Sequence, residues 1–426
     1  MSTSKRDRLV ALRRELHQHP EPAWNEFWTT ARIVEELREY EVDELYIGRE
    51  ALADTRMALP DESELETWMA MARERDVDPD ILEKLAGGWT GAVAVIEQGS
   101  GPTVGLRVDI DALAVDEATD SSHVPAAQGF RSNTDAMHAC GHDAHATIGI
   151  GVIESIIASE FDGTLKVFFQ PAEEVIGGGK PMAESGHLDD VEYLFAVHVG
   201  LDRPTGTVVA GIDGFLAVTQ FMTTFTGQSA HAGGRPEAGR NAVQAMATAV
   251  QNLYAIPRHG DGSSRINAGH VGGGSATNII PDEAFIHGEA RGETTAIRDF
   301  VYERVEGVME HAAAMHDCEY EIEVESTAPS AQSDQELVDI VQQISAEHPD
   351  VSDTRARGTL GGSEDATFLM NKVQEQGGFA TYVVIGTDHP GGHHSSTFDV
   401  DEDSIEIGVD ILSDAICMVA TTAPTK

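Results

Sequence analysis

Several short runs in this chain are apolar on both faces, and stretches with helical periodicity lie between them. Residues 103–109, 164–170, 193–199 and 381–385 are of the first kind; residues 143–159, 334–346 and 401–418 are of the second. A strand with two apolar faces must be covered on both sides. Interleaved with helices of this length, such strands dictate a largely parallel or mixed sheet between helical layers. Residues 92–97 supply a further strand beside 103–109. Upstream, amphipathic helices are expected over 5–17 and 26–39, separated by Pro20 and Pro22, which forbid continuity. The charged stretch 61–85 reads as further helix.

From about residue 215 the pattern changes. A long alternating strand over 218–225 precedes a helix over 240–256, strands over 265–271 and 284–291, a helix over 296–314 and a strand over 319–324. That order is the signature of a small ferredoxin-like α+β layer, one sheet face covered by two helices. The α/β pattern resumes near residue 328. The expected architecture is therefore a mixed-sheet α/β domain formed by residues 1–214 and 328–426, with an α+β domain of residues 215–327 inserted into it.

Charge narrows the functional classes. There are 72 acidic residues against 28 basic ones, giving a formal net charge of -44. Nucleic-acid binding draws affinity from Lys and Arg on phosphates, and anionic membranes require polybasic segments; neither pattern occurs. With 41% apolar residues the chain has enough for a core. Such self-repulsion is relieved at molar salt, where the screening length is ~3 Å, so a halophilic cytoplasm is expected. The three scattered cysteines fit a reducing compartment, and the charged N-terminal segment lacks the apolar region of a signal peptide.

Ligand-type side chains collect where strands end. The segment MHACGHDAH, residues 137–145, holds three histidines, Cys140 and Asp143. In extended backbone His138, Cys140 and His142 would face one side, and thiolate and imidazole are ligands for zinc and other divalent transition metals. Glu173 and Glu174 follow the strand 164–170, at the edge where α/β folds place ligands. One can bind metal while the other holds water. His198 ends another buried strand, and Asp109 and Asp111 end a fourth. Near the C-terminus His393 and His394 share a glycine-rich loop, and one of the two is expected to close a metal site.

The segments MHACGHDAH, FQPAEE, AVHVG, SAHAGGRPE, ATNIIPD and HHSSTFDVDE, in this order and spacing, resemble the aminoacylase and carboxypeptidase type of dinuclear metallohydrolase. The likeness is to its amidohydrolase branch, and RMALPDE, GSEDAT and the Gly392-His393-His394 loop bring it nearest to the group that hydrolyses p-aminobenzoyl-glutamate. The resemblance implies that Cys140, His142, Glu174, His198 and His394 bind two divalent ions, Mn or Zn, with Co or Ni as further options. It implies Glu173 as general base and Asp111 as a residue that orients a ligand. In the inserted domain, acting as lid and dimerisation module, it implies that His231 polarises the scissile carbonyl and that Asn278 and Arg291 hold the substrate carboxylate. The substrates would be N-acyl or N-aroyl amino acids, p-aminobenzoyl-glutamate, indole-acetyl, hippurate and N-acetyl types among them. The partners would be a B-type subunit and a second copy of the chain. Ala114, Val175 and Ser396 depart from the family's usual Pro, Gly and Pro, which bears on substrate choice. The rival of another class is a metal-binding regulatory protein that does no chemistry.

Overall fold

The structure, a computed structural model, describes residues 4–422. The outermost parts of the expected domain ranges, residues 1–3 and 423–426, lie outside the described residues. The chain forms two compact units. Of the described residues, one comprises 4–213, 331–360 and 365–422, and the other 214–330 with 361–364.

The first unit is built on an eight-stranded sheet. Its strands β1 (Glu44–Ile47), β2 (Ala92–Glu97), β3 (Thr103–Asp109), β4 (Thr164–Gln170) and β5 (Tyr193–Val199) run in the order β1-β2-β4-β3-β5. The strands Phe379–Ile385, Thr207–Val209 and Asp353–Arg355 continue it. β3 pairs in parallel with β4 and β5, and β5 with Phe379–Ile385, whereas β1 and β2 run antiparallel to their neighbours. The mixed sheet follows from the residues: β2 to β5 are buried almost end to end.

The short strands Glu44–Ile47, Thr207–Val209 and Asp353–Arg355 lack the apolar runs that would reveal them. The charged stretch 61–85 is not one helix but two, Glu62–Arg73 and Pro79–Leu85. Asp78 caps the second, its side chain accepting from the Asp80 N–H at 2.9 Å, and Pro79 opens it.

Helix His142–Ile157 is the central element of one covering layer, with Ile148, Ile150, Val152, Ile153 and Ile156 all buried. Helix Lys5–Gln18 packs against it and contributes Arg13, which is fully buried. The Arg13 guanidinium lies 2.9 Å from Asp143 and 2.6 Å from Asp399. Burial alone would lower its pKa, but the two carboxylates raise it, and Arg13 in turn holds Asp143 well below the usual carboxylate range despite burial. His17, one turn on, bonds Asp143 and Glu117 at 2.8 and 3.0 Å. This network ties the N-terminal helix to the first turn of the helix that starts at His142.

In the second unit the antiparallel strands Ser264–Gly273, Glu283–Gly292, Ala217–Thr226 and Glu319–Ala328 lie in that order. Helices Ala242–Leu253 and Thr295–Met315 cover one face, burying Phe221, Phe225, Ala245, Ile286, Val305 and Met309. A two-stranded ribbon pairs Ala230–His231 with Ile279–Ile280.

Replacing Arg13 by Leu leaves Asp143 buried with reduced compensation. The unfolding free energy from denaturant titration should fall by about 3–5 kcal/mol.

Candidate metal centre

The strand ends and the turns that follow them set the geometry. Gly141 adopts φ +87°, and an ideal Cβ there would sit 2.6 Å from Val199 Cγ2, so only glycine fits. It caps the helix His142–Ile157. His142 is therefore the first residue of a helix and not part of an extended run. The strand-like alternation expected for His138, Cys140 and His142 does not occur. His138 turns into the interior, its ring 6.4 Å from that of His17, while Cys140 and His142 converge through the turn.

After β4 the chain makes a tight loop in which Ala172 and Ile176 have φ of 55° and 56°. Left-handed backbone at residues other than glycine is costly and is found at functional sites. Here it aims Glu173 and Glu174 at the same place. Potential ligand atoms of Cys140, His142 and His198 lie within 4.8 Å of one another, as do those of Cys140, Glu174 and His394, and those of His142, Glu173 and Glu174. The structure thus gathers Cys140, His142, Glu173, Glu174, His198 and His394 from separate segments of the chain.

Hydrogen bonds fix which atoms face inward. His142 Nδ1 is 3.2 Å from Asp111 Oδ1, so the ring donates there and presents Nε2. His198 Nδ1 donates to the Val199 carbonyl at 2.7 Å and presents Nε2, 3.4 Å from Cys140 Sγ. An imidazole held through one nitrogen by an oxygen acceptor is the usual arrangement of a metal-ligating histidine. Among the described residues His142 Nε2 is buried with no hydrogen-bond partner, 3.7 Å from Asp109 Oδ1 and 3.9 Å from Glu174 Oε1. Both separations are too long for hydrogen bonds, and the one to Glu174 suits two donors that share an ion at ~2.0–2.2 Å each. The donor set, one thiol, three imidazoles and carboxylates, fits two divalent cations.

Between the two loop histidines the structure discriminates. His394, at φ 63°, donates its backbone N–H to Ala139 O at 2.8 Å and places Nε2 3.4 Å from Glu174 Oε2. His393 instead stacks on Phe398, with Nε2 3.4 Å from the Val199 carbonyl.

Electrostatics calls for positive charge. Burial would lower the pKa of His142, yet Asp109, Asp111 and Glu174 raise it to about 10. Asp109 stays well below the carboxylate range although burial opposes this, because His142, Arg107 and His145 surround it. His198 is driven down by burial and by neighbouring His145 and His393, so it is neutral and able to ligate.

Three supporting residues carry roles that the sequence alone did not assign. His145 stands among potential donors, but both its nitrogens are engaged: Nδ1 with Asp109 Oδ1 at 2.5 Å and Nε2 accepting the Val199 N–H at 2.8 Å. It acts as a strut from β3 to β5. Glu26 accepts the Ala172 N–H at 2.7 Å and the Thr90 hydroxyl at 2.6 Å, steadying the loop before Glu173. Asp365 receives the Gly179 N–H at 2.7 Å and lies 3.3 Å from Arg107. His145 stood in view within MHACGHDAH and Asp365 within GSEDAT, though neither role was assigned; Glu26 carries no local signal.

In the second unit, His231 Nδ1 accepts the N–H groups of Gly233 and Gly234 at 3.1 and 2.9 Å. This leaves Nε2 as the ring nitrogen able to donate. The Asn278 carbonyl accepts the Ala232 N–H at 2.9 Å, on the same ribbon. Arg291 lies 2.9 Å from Glu289 and 3.2 Å from Ser363 Oγ.

A family model, Peptidase family M20/M25/M40, matches residues 105–417. The chain belongs to that family. As a member of M20/M25/M40 it is a hydrolase, and it is 42% identical over 411 residues to an indole-3-acetyl-aspartic acid hydrolase of Enterobacter agglomerans, covering 95% of this chain and 94% of the relative. It is 40% identical to the A-type subunit of the p-aminobenzoyl-glutamate hydrolase of Escherichia coli strain K12, covering 95% and 94%. A solved aminobenzoyl-glutamate utilization protein from Klebsiella pneumoniae shares the fold with a TM-score of 0.84 and 34% identity, covering 98% of this chain and 97% of that one.

Asp111→Asn removes the charge that holds His142 in place. Divalent-metal affinity, read by equilibrium dialysis against metal-buffered solutions, should drop about 10–100-fold with the circular dichroism spectrum unchanged.

Proposed function

We propose that this M20/M25/M40 chain is a cytoplasmic, metal-dependent amidohydrolase of N-acyl or N-aroyl amino acids, of the indole-acetyl-aspartate or p-aminobenzoyl-glutamate kind. The observation that carries the reading is the convergence of Cys140, His142, Glu174, His198 and His394 with Glu173 beside them. The five are assigned as holders of two divalent cations, Zn or Mn. When bound, such ions polarise the amide carbonyl and make water a nucleophile at neutral pH.

The chain's own residues supply the rest. Glu173 is buried beside His142 and Glu174 and is assigned as general base. Its carboxylate takes a proton from the attacking water and passes it to the amide nitrogen as the C–N bond breaks, releasing the acid and the free amine. Asp111 keeps His142 and the Glu174 backbone in register through its two oxygens. The Nε2–H of His231 suits a developing oxyanion. The Arg291 fork and the Asn278 amide suit the carboxylate of the amino-acid half.

Several features support the setting. Among the described residues no disulfide joins Cys140, Cys318 and Cys417, as a reducing compartment allows, and no helix is long and apolar enough to cross a membrane. The net charge of -44 supports a halophilic host. A homodimer through the second unit is supported by its two sheet edges, Ser264–Gly273 and Glu319–Ala328, where Val271 and Val324 are 41% and 44% exposed. A B-type partner is suggested by the word subunit in the name of the Escherichia coli relative.

The testing experiment is a hydrolysis screen in molar KCl with Mn²⁺ or Zn²⁺. It compares p-aminobenzoyl-glutamate, indole-acetyl amino acids, hippurate and N-acetyl amino acids; absence of turnover on every amide sinks the proposal. Glu173→Gln should retain bound metal, measured by atomic emission, and lose about 10²–10⁴-fold in kcat. Across a KCl series, kcat/KM should rise further than the folded fraction measured by circular dichroism, because salt also screens repulsion of an anionic substrate.

A further inference from the structure

The loop that precedes β2, residues 87–91, lies at the carboxyl edge of β4. β2 runs antiparallel to β4, and an ideal Cβ at Gly91 would sit 2.9 Å from Phe169 O and 2.7 Å from Pro171 Cδ. Glu173 and Glu174 leave the same edge one strand over, a spacing of about 4.8 Å. At this loop the structure holds two arginines around one indole. The guanidinium carbons of Arg56 and Arg49 lie 3.6 and 4.1 Å from the Trp89 ring centroid, and Trp89 itself is buried. Arg56 is also 5.4 Å from the ring of Trp24.

Arg56 is anchored through one nitrogen only. Nη1 donates to the Gly87 and Gly88 carbonyls at 2.9 and 2.8 Å. Among the described residues Nε and Nη2 show no hydrogen bond, and no carboxylate oxygen lies within 4 Å of Arg56; Arg49 has only the exposed Asp54 at 3.9 Å. In a chain with 72 acidic residues, two neighbouring cations that share only the exposed Asp54 are conspicuous. Burial, and then repulsion from Arg49, bring the Arg56 pKa down to about 10, so the pair favours a neighbouring anion.

The segment carrying Arg56 is also joined to the reactive loop. The next residue, Met57, accepts the Trp24 Nε1–H at 2.8 Å. Met57 O and Trp24 Nε1 lie 2.7 and 2.9 Å from where a Cβ would stand on Gly177. Gly177 closes the Glu173–Glu174 loop by donating to Ala172 O at 2.9 Å.

We infer that Arg56, stacked on Trp89 and assisted by Arg49, is a specificity-determining residue that receives the side-chain carboxylate of an aspartyl or glutamyl leaving group, an assignment that rests on the amidohydrolase reading above. A guanidinium already stacked and anchored at one nitrogen loses little freedom on binding, and its free edge matches a carboxylate bidentately. Recognition by a partly desolvated cation makes the neutral amide of the same side chain a poor substitute, since it leaves that cation without a counter-charge.

Matched substrates test this: indole-3-acetyl-aspartate against indole-3-acetyl-asparagine, and p-aminobenzoyl-glutamate against p-aminobenzoyl-glutamine. The wild-type enzyme should prefer the acid of each pair by about 100-fold in kcat/KM, chiefly through KM. Arg56→Met, which keeps an unbranched stem on Trp89, should bring that ratio to near one, and Arg56→Lys should keep part of it. A wild-type ratio near one overturns the assignment, as does a ratio that either variant leaves unchanged. Should R56M fail to fold, the wild-type ratio and R56K decide. If the wild type cleaves no amide of the wider screen either, the amidohydrolase reading falls and this one with it; if it cleaves other N-acyl amino acids but none of these four, or both members of each pair alike, only the role of Arg56 falls.

Discussion

The site depends on one carboxylate with both oxygens committed. Asp111 Oδ1 holds the His142 ring at 3.2 Å, and Oδ2 receives the Glu174 N–H at 3.0 Å. The two partners come from different segments, the first turn of a helix and the loop after β4. A buried carboxylate is tolerable only when its oxygens are satisfied, so the position of each segment is enforced by the other. Behind Asp111 lies Glu26, whose pKa burial and the Asp111 charge push well up. Glu26 carries its own bonds to Thr90 and Ala172, so the constraint extends to the residue before Glu173.

The same economy governs the buried cations. Arg13 serves Asp143 and Asp399, and Arg107 serves Asp109 and Asp365. In a chain with few basic residues, each of these buried arginines is shared by at least two carboxylates from different segments, Arg13 reaching Glu402 as well at 3.6 Å. Exposed pairs such as Lys84 with Glu50 at 3.5 Å contribute ~0–1 kcal/mol. The burden of holding the N-terminal helix, the helix at His142 and the residues around Asp399 together falls on the interior pairs.

Much of this was legible in the residues. Runs apolar on both faces announced β3, β4, β5 and Phe379–Ile385, and ligand-type residues at their ends marked the carboxyl edge. The dense segment 137–145 displayed Cys140 and His142, but period-two reasoning misjudged how they meet, because a left-handed Gly141 ends the extended chain there. That one backbone angle turns His138 inward and frees His145 to brace Asp109 against β5. That His394 and not His393 stands beside Cys140 and Glu174 is equally conformational, set by a positive φ and a bond to Ala139 that residue types do not reveal. The bracing roles of Glu26 and Asp365 stayed hidden because their partners, backbone N–H groups and side chains alike, are far away in sequence. Short strands such as Glu44–Ile47 gain their stability from pairing and not from composition.

The left-handed turn at His394 has a consequence for how the protein is made. The other donors lie between residues 140 and 198, whereas His394 is placed only when its backbone N–H finds Ala139 O. During synthesis, which proceeds at about 5–20 residues per second, the segment 214–330 emerges whole between the first donors and the last. That unit has its own core and can form while the earlier donors wait as an incomplete set. A cation met in that interval would find fewer of the proposed side chains in place. On the proposed ligand set, the full group of donors therefore exists only once a late segment of the chain has docked.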